Sequence, residues 1–393
     1  MNLFFIFAII ILSIIHGTVG LRIIPYLNLN YNIKIVTWCC IALLAALPII
    51  PIILRSKGFE DEAVDWFSWA GYLSLGFFVL TFLAVVTKDL IYLTIGLLTK
   101  ITVAIGFPSA PTDPGRRDFI QKILSISIVT TTSVSTIAGL YAARKGATIM
   151  KTTVPIKGLD KDLSGMTIAQ VSDLHIGPTI KKGYVEEVVD QVNRLNPDII
   201  AITGDLVDGS VGYLSKHVEP IKDLHANIGK YFVTGNHEYY SGVDQWLDKI
   251  DHYGLTNLID SHEIITKGSG SITLGGVTDY RSSSIKPEHK SDPEKAFYGA
   301  PENIPKILLA HQPWSIFDAH KVGADFQLSG HTHGGQFWPF VYAVRMANPY
   351  TSGLHDHDGT WIYVNRGTGY WGPPMRLGIE SEITLVKLET KKS

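Results

Sequence analysis

Two textures of apolar and polar positions divide the chain near residue 150. Before it, apolar residues run almost unbroken; after it, they come in short runs that end repeatedly in Asp, His, Asn or Gly. The first texture predicts helices. Five stretches, Leu3 to Val19, Ile33 to Leu54, Trp66 to Val86, Leu90 to Phe107 and Ile123 to Ala142, approach the roughly 20 apolar residues that cross a hydrocarbon core of about 30 Å. Lys100 interrupts the fourth. Lipid offers backbone polar groups no partners, so these runs read as helices that bond within themselves. The first lacks the basic start and small-residue cleavage site of a removable signal peptide, and it reads as a span.

The second texture predicts strands that end in polar tips. "MTIAQVSD" is a buried strand ending at Asp173, "PDIIAITGD" ends at Gly204 and Asp205, and "KYFVTGNHE", "ITLGGVTD", "KILLAHQP" and "DFQLSGHTH" repeat the arrangement. Between them, "KKGYVEEVVDQVNRL" spaces Tyr184, Val188, Val192 and Leu195 as one face of a helix. This alternation argues an α/β domain, in which sites collect where strands give way to loops. Residues 282–305 and 337–359 read as irregular segments.

Composition narrows the function classes. The chain of 393 residues sets 34 Lys and Arg against 36 Asp and Glu, for a formal net charge of −2, so no global field favours nucleic acid. Cys39 and Cys40 are the only cysteines and lie in an apolar run, which leaves no thiolate for a metal site after residue 150. If Arg55, Lys57, Arg116, Arg117 and Lys122 face the cytoplasm, the five spans alternate and the chain after Ala142 emerges on the extracytoplasmic side of the cell membrane. Arg22, Lys34 and Lys88 then lie outside. "GRRDFIQK" ahead of the last span also looks like a bacterial twin-arginine export signal, an alternative to a plain basic anchor.

The polar tips form one set: Asp173 and His175 in "DLH", Asp205 and Asp208 in "GDLVD", Asn236 and His237 in "GNHE", His311 in "AHQP", and His331 and His333 in "GHTH". All are carboxylate, amide or imidazole donors, a set that suits Mn²⁺, Fe or Zn²⁺. Residues i and i+2 of an extended segment project to one side, so Asp173 and His175 can share an ion. For His331 and His333 to serve different ions the backbone must bend, which the flanking glycines permit.

The order DxH, GDxxD, GNHE, H, GHxH from Thr167 to His333 resembles the signature of calcineurin-like metallophosphoesterases. "GGQ" and the tail "NRGTGYWGPPMRLGIESEITLVKL" look like the membrane-anchored or exported bacterial branch. The resemblance implies an α/β fold, a four-layer αββα sandwich over residues 153–393, preceded by an all-α transmembrane region of about five helices over 1–152. It implies two divalent ions, one on Asp173, His175, Asp205 and His333, the other on Asp205, Asn236, His311 and His331. Asp205 is then the bridge. Two such ions leave about two positive charges after Asp173 and Asp205 are counted, which suits a phosphoester and makes a metal-bridging hydroxide available as nucleophile near neutral pH. His237 is implied as the group facing the substrate, binding a phosphoryl oxygen or protonating the leaving group, with Asp208 orienting it, and both are assigned to acid catalysis. Monoesters, diesters and pyrophosphates all fit, and the membrane region adds lipid-linked substrates to the candidates, while Phe337, Trp338, Phe340, Tyr350, Tyr370 and Trp371 either line a groove for an apolar substrate or pack the C-terminal strands. The alternative is a noncatalytic metal-binding scaffold or sensor. His217, His225, His252, His262, His289, His320, His355 and His357 read as surface, capping or loop residues.

Overall fold

The computed structural model describes residues 3–108 and 113–391 and divides into two compact units, Met1–Ala138 and Gly139–Ser393. The boundary lies upstream of the change in composition because β1 (Thr148–Ile156) pairs in parallel along its whole length with the last strand, β12 (Glu382–Thr390).

The N-terminal unit holds α1 (Leu3–Ile23), α2 (Tyr31–Ala46), α3 (Ile49–Ser56), α4 (Glu62–Ala104) and most of α5 (Pro114–Arg144). Asn30 and Asp61 cap α2 and α4 by accepting the N–H of Ile33 and Val64. Val19, Ile23, Phe78 and Val85 form a buried cluster, and Thr81 bonds Thr132 across α4 and α5 at 3.0 Å. Gly71 lets α4 lie against the start of α3, since a Cβ there would sit 2.8 Å from the Leu47 backbone.

Among the described residues, four helical stretches are long and apolar enough to cross a membrane, where about five are expected: Ile6–Leu27, Tyr31–Ser56, Glu62–Ala104 and Pro114–Arg144. The expected third and fourth spans are one helix because Thr87, Lys88 and Asp89 between them include no Gly or Pro to end it. At 43 residues α4 rises about 65 Å, well beyond one hydrocarbon core. This changes the grouping of charges as well. Arg22 and Lys88, expected opposite Arg116 and Arg117, line one cavity with them.

The C-terminal unit is built on two six-stranded sheets. In the first, the order β1-β12-β2-β3-β4-β5 includes β2 (Thr167–Val171), β3 (Ile199–Thr203), β4 (Gly229–Val233) and β5 (Thr256–Asn257). In the second, the order β10-β11-β9-β8-β7-β6 joins β6 (Ser261–Lys267), β7 (Gly270–Gly276), β8 (Lys306–Leu309), β9 (Phe326–Ser329), β10 (Gly353–His357) and β11 (Thr360–Val364). The two-residue period of the strands explains the layers. Ile168, Ile199, Ala201 and Val233 point to the core between the sheets with Ile272, Ile307, Phe326 and Leu328. Their neighbours Ala169, Val171, Ile200, Ile202 and Phe232 point the other way, onto α6 (Lys182–Arg194), α7 (Val211–Val218) and α9 (Val243–His252). The outer face of the second sheet is covered in turn, with Leu308 against Ala319 and Ile316 against Ile362. The result is the four-layer αββα sandwich.

β2, β3 and β4 run parallel, as do β7, β8, β9 and β11. The two segments read as irregular contain order of their own. Residues 282–305 carry the helical turn Pro293–Ala296, capped by the Asp292 side chain, and 337–359 carry the helix Phe340–Ala347 and β10, on which His355 and His357 lie.

Candidate metal centre

Each predicted tip follows the C-terminal end of a parallel strand: Asp173 and His175 after β2, Asp205 after β3, Asn236 and His237 after β4 in the short helix α8 (Asn236–Tyr240), His311 after β8, and His331 and His333 after β9. The structure gathers eight of the nine into three clusters, and Asn236 adjoins them in the chain, next to His237, whose N–H donates to Asp205 Oδ1 at 2.8 Å. Asp173, His175 and His333 form one cluster, Asp205, His311 and His331 a second, and His175, Asp208 and His237 a third, with the donor atoms of each within 4.8 Å of one another. Asp205 Oδ2 lies 3.1 Å from His311 Nε2 on one side and 3.8 Å from His175 Nε2 on the other.

The backbone bends at the candidate ligands themselves. Asp173, His175, Asp205, His331 and His333 have φ of 53°, 50°, 52°, 70° and 50°, a left-handed conformation that costs a non-glycine residue about 1 kcal/mol or more. Glycine was the expected source of the bend in "GHTHGG", and Gly334 and Gly335 do take positive φ. Gly330 serves close approach instead, since a Cβ there would fall 1.9 Å from Ser172 Oγ and 2.2 Å from Asp173 Oδ2. Gly204 and Gly235 likewise let the β3 and β4 loops touch, a Cβ on Gly235 meeting Asp205 Oδ1 at 2.2 Å.

Fixed partners aim each donor. The Nδ1–H of His311 donates to the Thr203 carbonyl at 2.8 Å, which turns Nε2 toward Asp205. Both Asp173 oxygens accept the His331 N–H, at 2.9 and 3.0 Å, and Ser172 Oγ donates to Oδ2 at 2.6 Å. Asp208 accepts from Nδ1 of both His237 and His175, the latter at 3.2 Å, so it orients two rings rather than His237 alone.

These residues fit a pair of cations. Asn236 Oδ1 is buried with no hydrogen-bond partner among the described residues, an omission that native interiors avoid. His175 Nε2 and His333 Nε2 stand 3.0 Å apart, and His311 Nε2 and His331 Nδ1 3.2 Å apart. In each pair two nitrogens converge beside a carboxylate, an arrangement suited to a shared cation. Electrostatics point the same way. Burial disfavours a protonated His311, but Asp205 and Asp173 more than offset it and hold the ring well above the ordinary imidazole range. Burial and the charge of His311 push His331 down to about 3, and burial, His175 and Arg376 hold His333 well below its usual value. Burial works against an ionised Asp208, yet His237 and His175 keep its carboxyl below the usual range. Burial likewise opposes a charged His237, which Asp208 and Asp205 raise to about 10.

Two supporting residues fall outside the motif reading. The buried Glu238 carboxylate accepts the N–H groups of Gly235 at 2.7, Leu206 at 2.7, Asp205 at 3.0 and Val207 at 3.3 Å, tying the β3 loop to α8. Burial and the Asp205 charge raise it to about 8. Its place inside "GNHE" was the available signal. Arg376, 1% exposed, donates to the carbonyls of His333 at 3.0, Arg366 at 2.8 and Gly367 at 3.2 Å, and to that of Gly369. No local pattern marked it. Beside His237, the rings of Tyr240 and Trp371 each lie 5.4 Å away. Gln336, after "GG", bonds both the N–H and the carbonyl of Trp371, at 2.9 and 2.8 Å.

The calcineurin-like phosphoesterase family profile matches residues 166–335. A transmembrane protein with metallophosphoesterase domain from Danio rerio is 36% identical over 69% of this chain and 63% of its own length. An uncharacterized metallophosphoesterase of Helicobacter pylori is 38% identical over 64% of this chain and 67% of its own. The match to the fish protein and its Bos taurus counterpart spans just under two thirds of those relatives. Among solved structures, a dimetal phosphatase from Danio rerio superposes at TM-score 0.35 with 13% identity over 53% of this chain and 90% of that one. Sequence relationship and strand-tip constellation agree, and the chain belongs to the calcineurin-like metallophosphoesterase family.

Proposed function

We propose that the chain is a membrane-anchored hydrolase of phosphoesters that works with two divalent metal ions, Mn, Fe or Zn. Asp173, His175, Asp205 and His333 hold one ion, and Asp205, Asn236, His311 and His331 the other. The observation that carries this reading is Asp205, whose one carboxylate faces a histidine of each cluster, at 3.1 and 3.8 Å. Two divalent ions there would leave about two positive charges in excess of Asp173 and Asp205, and would supply Lewis acidity and a water of lowered pKa.

The chain's own groups then act on the leaving oxygen. His237 is held through Nδ1 by Asp208, which leaves Nε2 to carry a proton outward, 4.0 Å from Asp205 Oδ2. That is the placement of a general acid. Trp371 and Tyr240 beside it are 53% and 67% exposed and form a platform for the leaving group. A lipid-linked substrate is supported by the apolar surface that follows His333: the helix Phe340–Ala347 buries none of its residues, and Trp338, Tyr342 and Met346 are exposed.

Four spans also support an extracytoplasmic active domain. With α1, α2–α3, α4 and α5 alternating in direction, Arg22, Lys34, Lys88, Lys100, Arg116, Arg117 and Lys122 fall toward one side, and outnumber Arg55, Lys57, Arg144 and Lys145 on the other. The richer side is cytoplasmic by the positive-inside rule, and the chain after α5 emerges outside. Protease protection in intact cells tests the side.

The activity test is hydrolysis of bis(p-nitrophenyl) phosphate and p-nitrophenyl phosphate by the full chain in detergent with Mn²⁺, Fe²⁺ or Zn²⁺. His237→Ala should lower kcat by about a hundredfold to ten-thousandfold with the metal content unchanged. Inactivity of the metal-loaded wild type on both esters would sink the hydrolase and leave the metal-binding scaffold. The lipid assignment fails if soluble esters turn over as fast as lipid-linked ones and bilayers add nothing.

A further inference from the structure

The paired arginines of "GRRDFIQK" have no part in the phosphoester chemistry. They lie in the first turn of α5 and line, with Arg22, Lys88, Asp89 and Asp113, a cavity of about 710 Å³ within the N-terminal unit. Both carboxylates are engaged. Asp89 pairs with Arg22 at 2.9 Å and lies 3.5 Å from Lys88 Nζ. Asp113 Oδ1 accepts the backbone N–H of Gly115 at 2.9 Å and of Arg116 at 3.4 Å, which caps α5.

The guanidinium groups of Arg116 and Arg117 carry no ion pair among the described residues. Lys88 is only 9% exposed, so one ammonium is largely withdrawn from water beside three guanidinium groups. Gathering four cations around one space with two carboxylates leaves two positive charges in excess, which repel one another unless an anion enters. Guanidinium groups match phosphate oxygens in geometry as well as charge.

We infer that this cavity binds a phosphate group, carried by an anionic lipid head or by a soluble phosphate. Its surroundings suit the lipid. Tyr26 and Tyr92 line it as interfacial aromatics do, and beyond it α4 exposes Leu90, Ile91 and Leu93, against which acyl chains can lie. Basic pockets between membrane helices are a recurrent means of holding lipid phosphates. The site is independent of the metal centre and gives the two arginines a role other than an export signal.

The test is native mass spectrometry of the full chain in detergent with phosphatidylglycerol or phosphatidylcholine, and with inorganic phosphate as competitor. Phosphatidylglycerol should be retained at least tenfold more tightly than phosphatidylcholine. R116Q/R117Q should remove that preference, R116K/R117K should keep most of it, and Lys57→Gln should leave it unchanged. Should the double substitution fail to fold, R117Q alone should weaken the preference severalfold. Displacement by millimolar inorganic phosphate would identify a soluble phosphate as occupant, and resistance to it the lipid head. Equal retention of the two lipids with no competition by phosphate, or a preference that survives loss of arginine charge in a folded variant, overturns the proposal.

Discussion

The two halves of the strand-tip centre are held by different means. Around Asp205, His311 and His331 the supports come from the strand-tip motifs themselves: Glu238, two residues after Asn236, accepts three backbone N–H groups of the Asp205 loop and that of Gly235, and the Thr203 carbonyl fixes His311. Around Asp173, His175 and His333 a further support comes from outside the motifs. Arg376, 43 residues after His333, grips that residue's carbonyl and those of Arg366, Gly367 and Gly369. One half is braced by a buried carboxyl gathering amides, the other by a buried guanidinium gathering carbonyls. In both, a buried side chain does for irregular backbone what neighbouring strands do in a sheet.

The largest effect should come from the residue the halves share. Asp205→Asn removes the charge that faces both clusters, and we expect both metal ions to be lost together, with activity reduced more than a thousandfold. Metal analysis by mass spectrometry alongside kcat measures this. Retention of one full equivalent of metal would show that the halves bind independently and that Asp205 is not a bridge.

Separate supports should fail separately. Arg376→Met strands several buried carbonyls and should destabilise the fold by about 2–4 kcal/mol, lowering metal content toward one equivalent by loosening His333. Glu238→Gln keeps the shape but replaces one acceptor oxygen with a donor, at a cost of about 1–3 kcal/mol, and should loosen the Asp205 and Asn236 side instead. Thermal unfolding gives the stability, and titration with Mn²⁺ gives the two affinities. If both variants weaken the same ion, the division into halves is not real.

The same contrast explains what the sequence disclosed. The candidate ligands sit directly after strands whose apolar runs are short and regular, so Asp173, Asp205, Asn236, His311 and His333 could be found by reading strand ends. Glu238 was adjacent to them and visible, though its task was not, because backbone N–H groups have no letter in a sequence. Arg376 touches main-chain carbonyls from a distant loop and left no local trace. Left-handed φ at Asp173, His175, Asp205, His331 and His333 was equally hidden, since such a bend normally announces itself by glycine. In the N-terminal unit the apolar runs were legible but their joins were not. Thr87, Lys88 and Asp89 interrupt hydropathy without interrupting helix, so two expected spans are one element. The pairing of β1 with β12 could not be read either, since a register between ends of the chain depends on everything folded between them.

The smallest effect expected is also the most specific to the open side of the centre. Trp371 touches none of the metal-facing donors through a hydrogen bond; its ring lies 5.4 Å from that of His237, and its backbone is held by Gln336. Replacing it with alanine removes a stacking surface worth roughly 0.5–1.5 kcal/mol, which corresponds to a rise in KM of about two- to tenfold for an ester with an aromatic or apolar leaving group. For a small polar ester the change should vanish, because that leaving group never reached the ring. Gln336→Ala should reproduce the pattern with Trp371 still present, by releasing the loop that carries it. A loss of kcat in W371A shared by all substrates would instead mean that the indole holds His237 in place, and Trp371 would then belong with Glu238 and Arg376 among the supports of the centre.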